Sequence, residues 1–238
     1  VLGVSILWFG WFGFNAGSAL GANALAASAF VVSQAAAAAA TVSWVLMEWK
    51  FNGKPTVLGA VSGCIAGLVA ITPAAGFVEP LPAIIIGLIG GGICYFAVAV
   101  LKDKLGYDDS LDAFGIHGIG GTWGSLATGL WATTGVNPAG ANGLFYGETD
   151  LFIAQVISTV VAYALAIVGT FILFKIVSAI CDVRADESEE LAGLDIVEHG
   201  ERGYGRSVVG GTIMGSFEDS SEMLANTVMK VNAKGGTI

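Results

Sequence analysis

The chain has 238 residues, 55% of them hydrophobic and only 12% charged, with a mean hydropathy of +0.76. A soluble domain carries roughly a quarter charged residues, so this composition excludes an ordinary soluble enzyme and describes a membrane protein. The net charge of −9 gives no footing for nucleic-acid binding, and it sits unevenly: residues 181–238 hold 11 of the 19 acids but 5 of the 10 basic residues.

Six apolar stretches follow one another at 2–24, 26–47, 56–72, 81–101, 112–133 and 150–174. Most approach the roughly 20 residues needed to cross a hydrocarbon layer about 30 Å thick. They lack the polar alternation of an outer-membrane strand, and a spanning segment must satisfy its own backbone, so each is expected to be a helix. The expected fold class is an all-α polytopic membrane protein, with a transmembrane domain over 1–180 and a tail over 181–238. The chain opens "VLGVSILWFG", already inside an apolar helix and without an initiator Met or a charged leader. An upstream portion is therefore expected, unless the first span is a processed start.

In the first stretch, "LWFGWFGFNAGSAL" (7–20), Trp11, Phe14 and Ser18 fall at i, i+3 and i+7, on one helical stripe. Two aromatic faces and a hydroxyl suit a small cation that donates hydrogen bonds, each ring attracting it by roughly 0.5 to 2 kcal/mol. An interfacial aromatic belt or plain core packing explains the same stripe. Small residues dominate the next spans: Gly17 and Gly21, six alanines at 35–40, and Gly59, Gly63 and Gly67 at spacing four. Such spacing lets membrane helices pack closely. Pro73 and Pro80 bracket the third loop, which is expected to dip partly into the membrane.

Cys64 and Cys94 lie in spans and Cys181 at a boundary, so packing rather than a disulfide framework is expected. Neither a cofactor nor a metal is implied. Lys50 and Lys54 fall in the second loop, Lys102 and Lys104 in the fourth, and Lys175 and Arg184 after the last span. The positive-inside rule then places the even loops, the amino end and the tail in the cytoplasm.

The fifth stretch contains "LDAFGIHGIGG" (111–121), in which His117 stands among glycines and apolar residues. Asp112 is expected as the helix N-cap, which puts His117 some 7 Å into the membrane helix at 1.5 Å per residue. Ala113, Phe114, Gly120 and Gly121 share its face, with Gly124 a turn beyond, so a groove of missing side chains is expected beside the imidazole. An intramembrane ionisable group is a functional candidate, although a neutral histidine bonded to a neighbouring carbonyl remains an alternative.

Together these stretches resemble the ammonium transporter family (the Amt, Mep and Rh group). The carrying segments are "WFGWFGFNAGSAL" (8–20), "EWKFNGKPTVLGAVSGCIAGLVAITPAAG" (48–76), "DDSLDAFGIHGIGGTWG" (108–124) and "GLDIVEHGERGYG" (193–205). The resemblance implies an eleven-helix fold of two inverted five-helix repeats and one further long helix, assembled as a homotrimer in the cell membrane with a pore in each subunit. The six spans match the second half of that fold.

By resemblance Trp11 and Ser18 belong to an outer substrate-binding site that recruits ammonium. Phe14 is one of two stacked gate rings, and His117 is one of a pair of pore-lining proton acceptors. The other members belong to the first repeat. The implied mechanism recruits ammonium, removes its proton and conducts it past the histidine.

In the tail, Gly193, Asp195, His199, Gly200, Glu201 and Tyr204 match a regulatory segment that contacts neighbouring subunits and PII-type signalling proteins; a merely solvated tail is the plainer alternative. Competing readings are an ammonium sensor, for which the tail is short, and a non-conducting portion of such a transporter. An intramembrane protease is disfavoured because Ser125 lies about 12 Å from His117 along the helix.

Overall fold

The first helix stops well before the first apolar stretch does. In a computed structural model, which describes residues 1–201, Gly203 and the backbone of 208–209 and 212–213, α1 runs over Leu2–Gly17. Residues 18–23 then reverse the chain, with Leu20 at a φ of +53°. Asn23 ends the turn in extended backbone, and its side chain accepts the Ala26 N–H at 2.9 Å, which starts α2. Hydropathy alone merges turn and helix here, because Ser18–Asn23 is apolar enough to read as span.

α2 covers Ala24–Asn52 and ends on Gly53, whose φ of +79° supplies the left-handed cap. Thr56 opens α3 (Val57–Ile71) by accepting the Gly59 N–H at 2.9 Å. The third loop folds into turns whose Ala74, Ala75 and Val78 are buried. α4 (Pro80–Phe96) begins with a proline where no N–H is needed, passes through a π-helical turn at Ala97–Leu101, and ends as α5 (Lys102–Leu105).

A second π-helical turn, Phe114–Gly118, leads into α6 (Ile119–Trp131). A 3₁₀ turn at Leu144–Tyr146 precedes α7 (Asp150–Ser178), and the tail carries α8 (Glu187–Ala192) and α9 (Leu194–His199). The regular structure among the described residues is helical apart from a two-residue antiparallel pairing of β1 (Val208–Val209) with β2 (Thr212–Ile213), with turns and irregular segments joining the helices.

Among the described residues three helical runs are long and apolar enough to cross a membrane: α2, the continuous Pro80–Leu105 run and α7; α3 is apolar but shorter. The chain forms two compact units, residues 1–167 and 168–238.

Within the first unit α2 is the central helix, and its alanine run is the seam. Ala36, Ala37 and Ala40 are fully buried. A Cβ added at Gly67 of α3 would sit 2.5 Å from the Ala36 carbonyl and 2.7 Å from Ala40 Cβ. One added at Gly91 of α4 would meet the Ala40 backbone from the other side. Three helices therefore approach to backbone contact because one contributes only methyls and the other two contribute nothing, the packing that replaces the hydrophobic effect in lipid.

Glu48, near the carboxyl-terminal end of α2, is buried and accepts both the N–H and the hydroxyl of Thr56 at 2.8 Å, which pins the α2–α3 hairpin. The exposed apolar residues of α7, none of which is buried, are those expected of a helix facing lipid or another protein segment.

Candidate functional site

His117 lies in the π-helical turn, and the segment that places it is capped differently from the sequence expectation. Asp109, not Asp112, caps the helix: its carboxylate oxygens accept the Ala113 N–H at 2.8 Å and the Phe114 N–H at 2.9 Å. Asp112 has a φ of +56° and pairs with Lys102 instead, tying the end of the Pro80–Leu105 run to the start of the histidine segment. Two carboxylates three residues apart compete for one cap, and the sharp turn at Asp112 turns its side chain away from the helix axis.

The π turn also changes which glycines flank the imidazole. Gly121 has open space where a Cβ would be, whereas a Cβ on Gly120 would stand 3.0 Å from Cys94 Sγ, and Gly124 abuts the Ala70 backbone. The expected glycine groove is therefore split: Gly121 lines the open side, and Gly120 and Gly124 serve packing against α3 and α4.

On that open side runs a groove of about 440 Å³, lined by His117, Gly121, Thr122, Ser125, Thr159 and Tyr163. The imidazole is exposed to it. The wall is hydroxyl-rich and internally bonded. Thr122 Oγ1 and Tyr163 Oη are 2.7 Å apart, and Thr122 donates to the Gly118 carbonyl at 2.7 Å. Ser125 donates to Gln155 Oε1 at 2.7 Å and accepts from Thr159 at 3.0 Å. Because the Ser125 proton is committed to Gln155, this serine is not a nucleophile paired with the histidine, in line with the sequence spacing.

The aromatic stripe of α1 meets His117 from the other side. The Trp11 indole and the imidazole are nearly parallel, at 16°, with centroids 6.4 Å apart. Trp11 meets Phe14 edge-on, at 75° and 6.0 Å. The structure thus joins Phe14 and His117 through Trp11, which contacts both. Ser18 stands apart from it, exposed at the end of α1 and donating to the Phe14 carbonyl at 2.6 Å. Trp11 and Ser18 are two helical turns, about 10 Å, apart.

Sequence reasoning passed over Thr72, Asn15 and Ser33, which stand behind Trp11. The indole N–H donates to Thr72 Oγ1 at 2.8 Å. Asn15 was legible in principle, since it lies four residues from Trp11 on the same helical face; Thr72 was not, because 61 positions separate it from its partner.

In the tail, Gly193 (φ +99°) and Gly200 (φ +68°) bracket α9, and both backbone angles favour glycine. Asp195 accepts the Gly203 N–H at 2.9 Å, His199 closes α9, and the Glu201 N–H donates to the Asp195 carbonyl at 3.2 Å. Tyr204 lies outside the described residues.

Comparison with known proteins settles the lineage, because residues 1–204 match the model of the Ammonium Transporter Family. The chain belongs to this family. The ammonium transporter of Bacillus subtilis (strain 168) is 58% identical over 203 residues, which cover 85% of this chain and 50% of that protein. Among solved structures, Mep2 of Saccharomyces cerevisiae superposes with a TM-score of 0.73 at 39% identity, covering 76% of this chain and 42% of that one. A protein described as a sensor Amt protein aligns with a TM-score of 0.74 at 29% identity, covering 83% and 48%. The chain spans about half the length of the curated relatives it matches. As a member of the ammonium transporter family with apolar membrane-length helices, it is a multi-pass membrane protein.

Proposed function

We propose that the protein containing this segment conducts ammonium across the cell membrane. It recruits the cation along the α1 stripe of Ser18 and Trp11, with Phe14 between them as the gate, and delivers it as ammonia past His117. The observation that carries this reading is the near-parallel stacking of the Trp11 indole on the His117 imidazole, which itself lines an open groove.

The physical need for such a site is severe. A bare ammonium ion moved into low dielectric costs tens of kcal/mol by Born solvation, so it must shed its proton before an apolar constriction. Aromatic faces hold the cation by roughly 0.5 to 2 kcal/mol each, and an imidazole nitrogen accepts the proton or hydrogen bond. Potassium, with no proton to give, is rejected by the same step.

The reading extends to architecture. The six apolar stretches are six spans, 1–180 is the membrane domain, and they form the second half of an eleven-helix fold. The subunits form a homotrimer, and the tail over 181–238 is cytoplasmic. Segment 193–205 is the regulatory contact for neighbouring subunits and a PII-type protein; its support is the pair of glycine hinges around α9.

A sensing role is the second reading, favoured by the likeness to the sensor Amt protein. The full gene product reconstituted in liposomes separates the two: conduction predicts saturable methylammonium uptake, sensing predicts binding without flux. His117→Ala is expected to abolish uptake or to admit potassium. Unchanged uptake and selectivity in that variant refute the role given to the histidine.

A further inference from the structure

Three polar side chains form a directed relay behind the indole of Trp11. Thr72 Oγ1 accepts the indole N–H at 2.8 Å. Its own proton has two acceptors in reach, the Leu68 carbonyl at 2.7 Å and Asn15 Oδ1 at 3.3 Å. A hydroxyl has one proton and two lone pairs, so with that proton shared between the Leu68 carbonyl and Asn15 Oδ1 a lone pair is still left facing the indole. Asn15 in turn donates from Nδ2 to Ser33 Oγ at 2.9 Å, and Ser33 donates to the Ala29 carbonyl at 2.7 Å. Both donors have defined directions, which fixes the amide so that Oδ1 points at Thr72.

The plain explanation of Thr72 is helix-end back-bonding to the carbonyl four residues before it, a common habit of threonine. That explains the Leu68 contact and nothing else. Asn15 and Ser33 are buried in an otherwise apolar core, where a polar group is costly unless bonded. Nor does α1 need every indole satisfied: Trp8 Nε1 is buried with no hydrogen-bond partner among the described residues. The ring that faces His117 is the one that is held.

We propose that Thr72 is a positioning residue: it fixes the Trp11 indole at its angle and distance from His117, with Asn15 and Ser33 orienting Thr72 from behind. The proposal rests on the reading of Trp11 and His117 as the conducting site. An indole turns about two side-chain torsions, and its groove-facing partner, the imidazole, is exposed and cannot clamp it. Trp11 is half-buried against the core, and the bond to Thr72, contributed by the end of α3, adds a directional restraint to that packing and couples α1 to α3 beside the passage.

The test uses the full-length protein in proteoliposomes, with Thr72→Val and Thr72→Ser each made in the native and Trp11→Phe backgrounds. Thr72→Val keeps the volume and removes the hydroxyl. It is expected to lower methylammonium flux on the order of fivefold to tenfold, the equivalent of one net hydrogen bond, and Thr72→Ser to restore most of it. In the Trp11→Phe background, where there is no N–H to hold, Thr72→Val should change flux less than about twofold. Equal losses in both backgrounds, or no loss in the native one, overturn the proposal.

A second readout does not depend on transport. The ultraviolet resonance Raman difference between native and Trp11→Phe protein isolates the Trp11 indole N–H, and Thr72→Val should shift its band to that of a free N–H. An unshifted band overturns the relay even in a protein that moves no ammonium. Absent flux in the native protein with a shifted band rejects the transport reading and supports the relay. If Thr72→Val does not accumulate in membranes, Thr72→Ala is read in the same way.

Discussion

The seam along α2 makes a quantitative demand at Gly67. A methyl added there would lie 2.5 Å from the Ala36 carbonyl oxygen and 2.7 Å from both Ala37 Cα and Ala40 Cβ, where ordinary contact begins near 3.4 Å. Nothing in that surface is the tip of a flexible side chain, so α2 and α3 must separate by roughly 1 Å. Overpacking of this kind costs about 1–3 kcal/mol, and rigid backbone neighbours put it near the upper end. Replacing a helical glycine by alanine returns about 1 kcal/mol, leaving a net loss of about 2 kcal/mol for Gly67→Ala.

At Gly169 in α7 an added methyl meets nothing within 4 Å, so Gly169→Ala collects the helix preference alone. Thermal unfolding of the full-length protein in one detergent, at one scan rate, should place Gly67→Ala about 2–4 °C below native and Gly169→Ala at or slightly above it. Equal melting temperatures for the two variants would show that the alanine seam yields freely, and the close-packing argument would fail.

Two further outcomes follow from buried or capping carboxylates. Glu48→Ala removes both acceptors from Thr56 and should cost about 3 kcal/mol, read as a lower melting temperature with faster hydrogen exchange at the start of α3; unaltered exchange there would contradict the pinning role. Asp109→Ala should cost about 1–2 kcal/mol and expose the Ala113 and Phe114 amides to exchange, whereas Asp112→Ala should leave those two amides protected.

The sequence by itself determined the membrane class, the positions of the apolar stretches and two of the site's parts, since composition, hydropathy and helical spacing are local properties. Trp11, Phe14 and His117 were legible because one stripe and one lone ionisable residue stand out against an apolar background. Local pattern failed wherever backbone geometry or a choice between competing partners set the outcome. The end of α1 at Gly17 depends on a reversal that hydropathy does not mark. The capping of the histidine segment by Asp109 depends on Lys102 drawing Asp112 away. The split of the glycines between groove and core depends on a π turn that shifts the helical register. The pairing of Trp11 with Thr72 depends on how α1 crosses the end of α3. Only the folded structure decides these, because each is a competition for one proton, one cap or one ångström of space whose outcome local hydropathy and spacing do not rank.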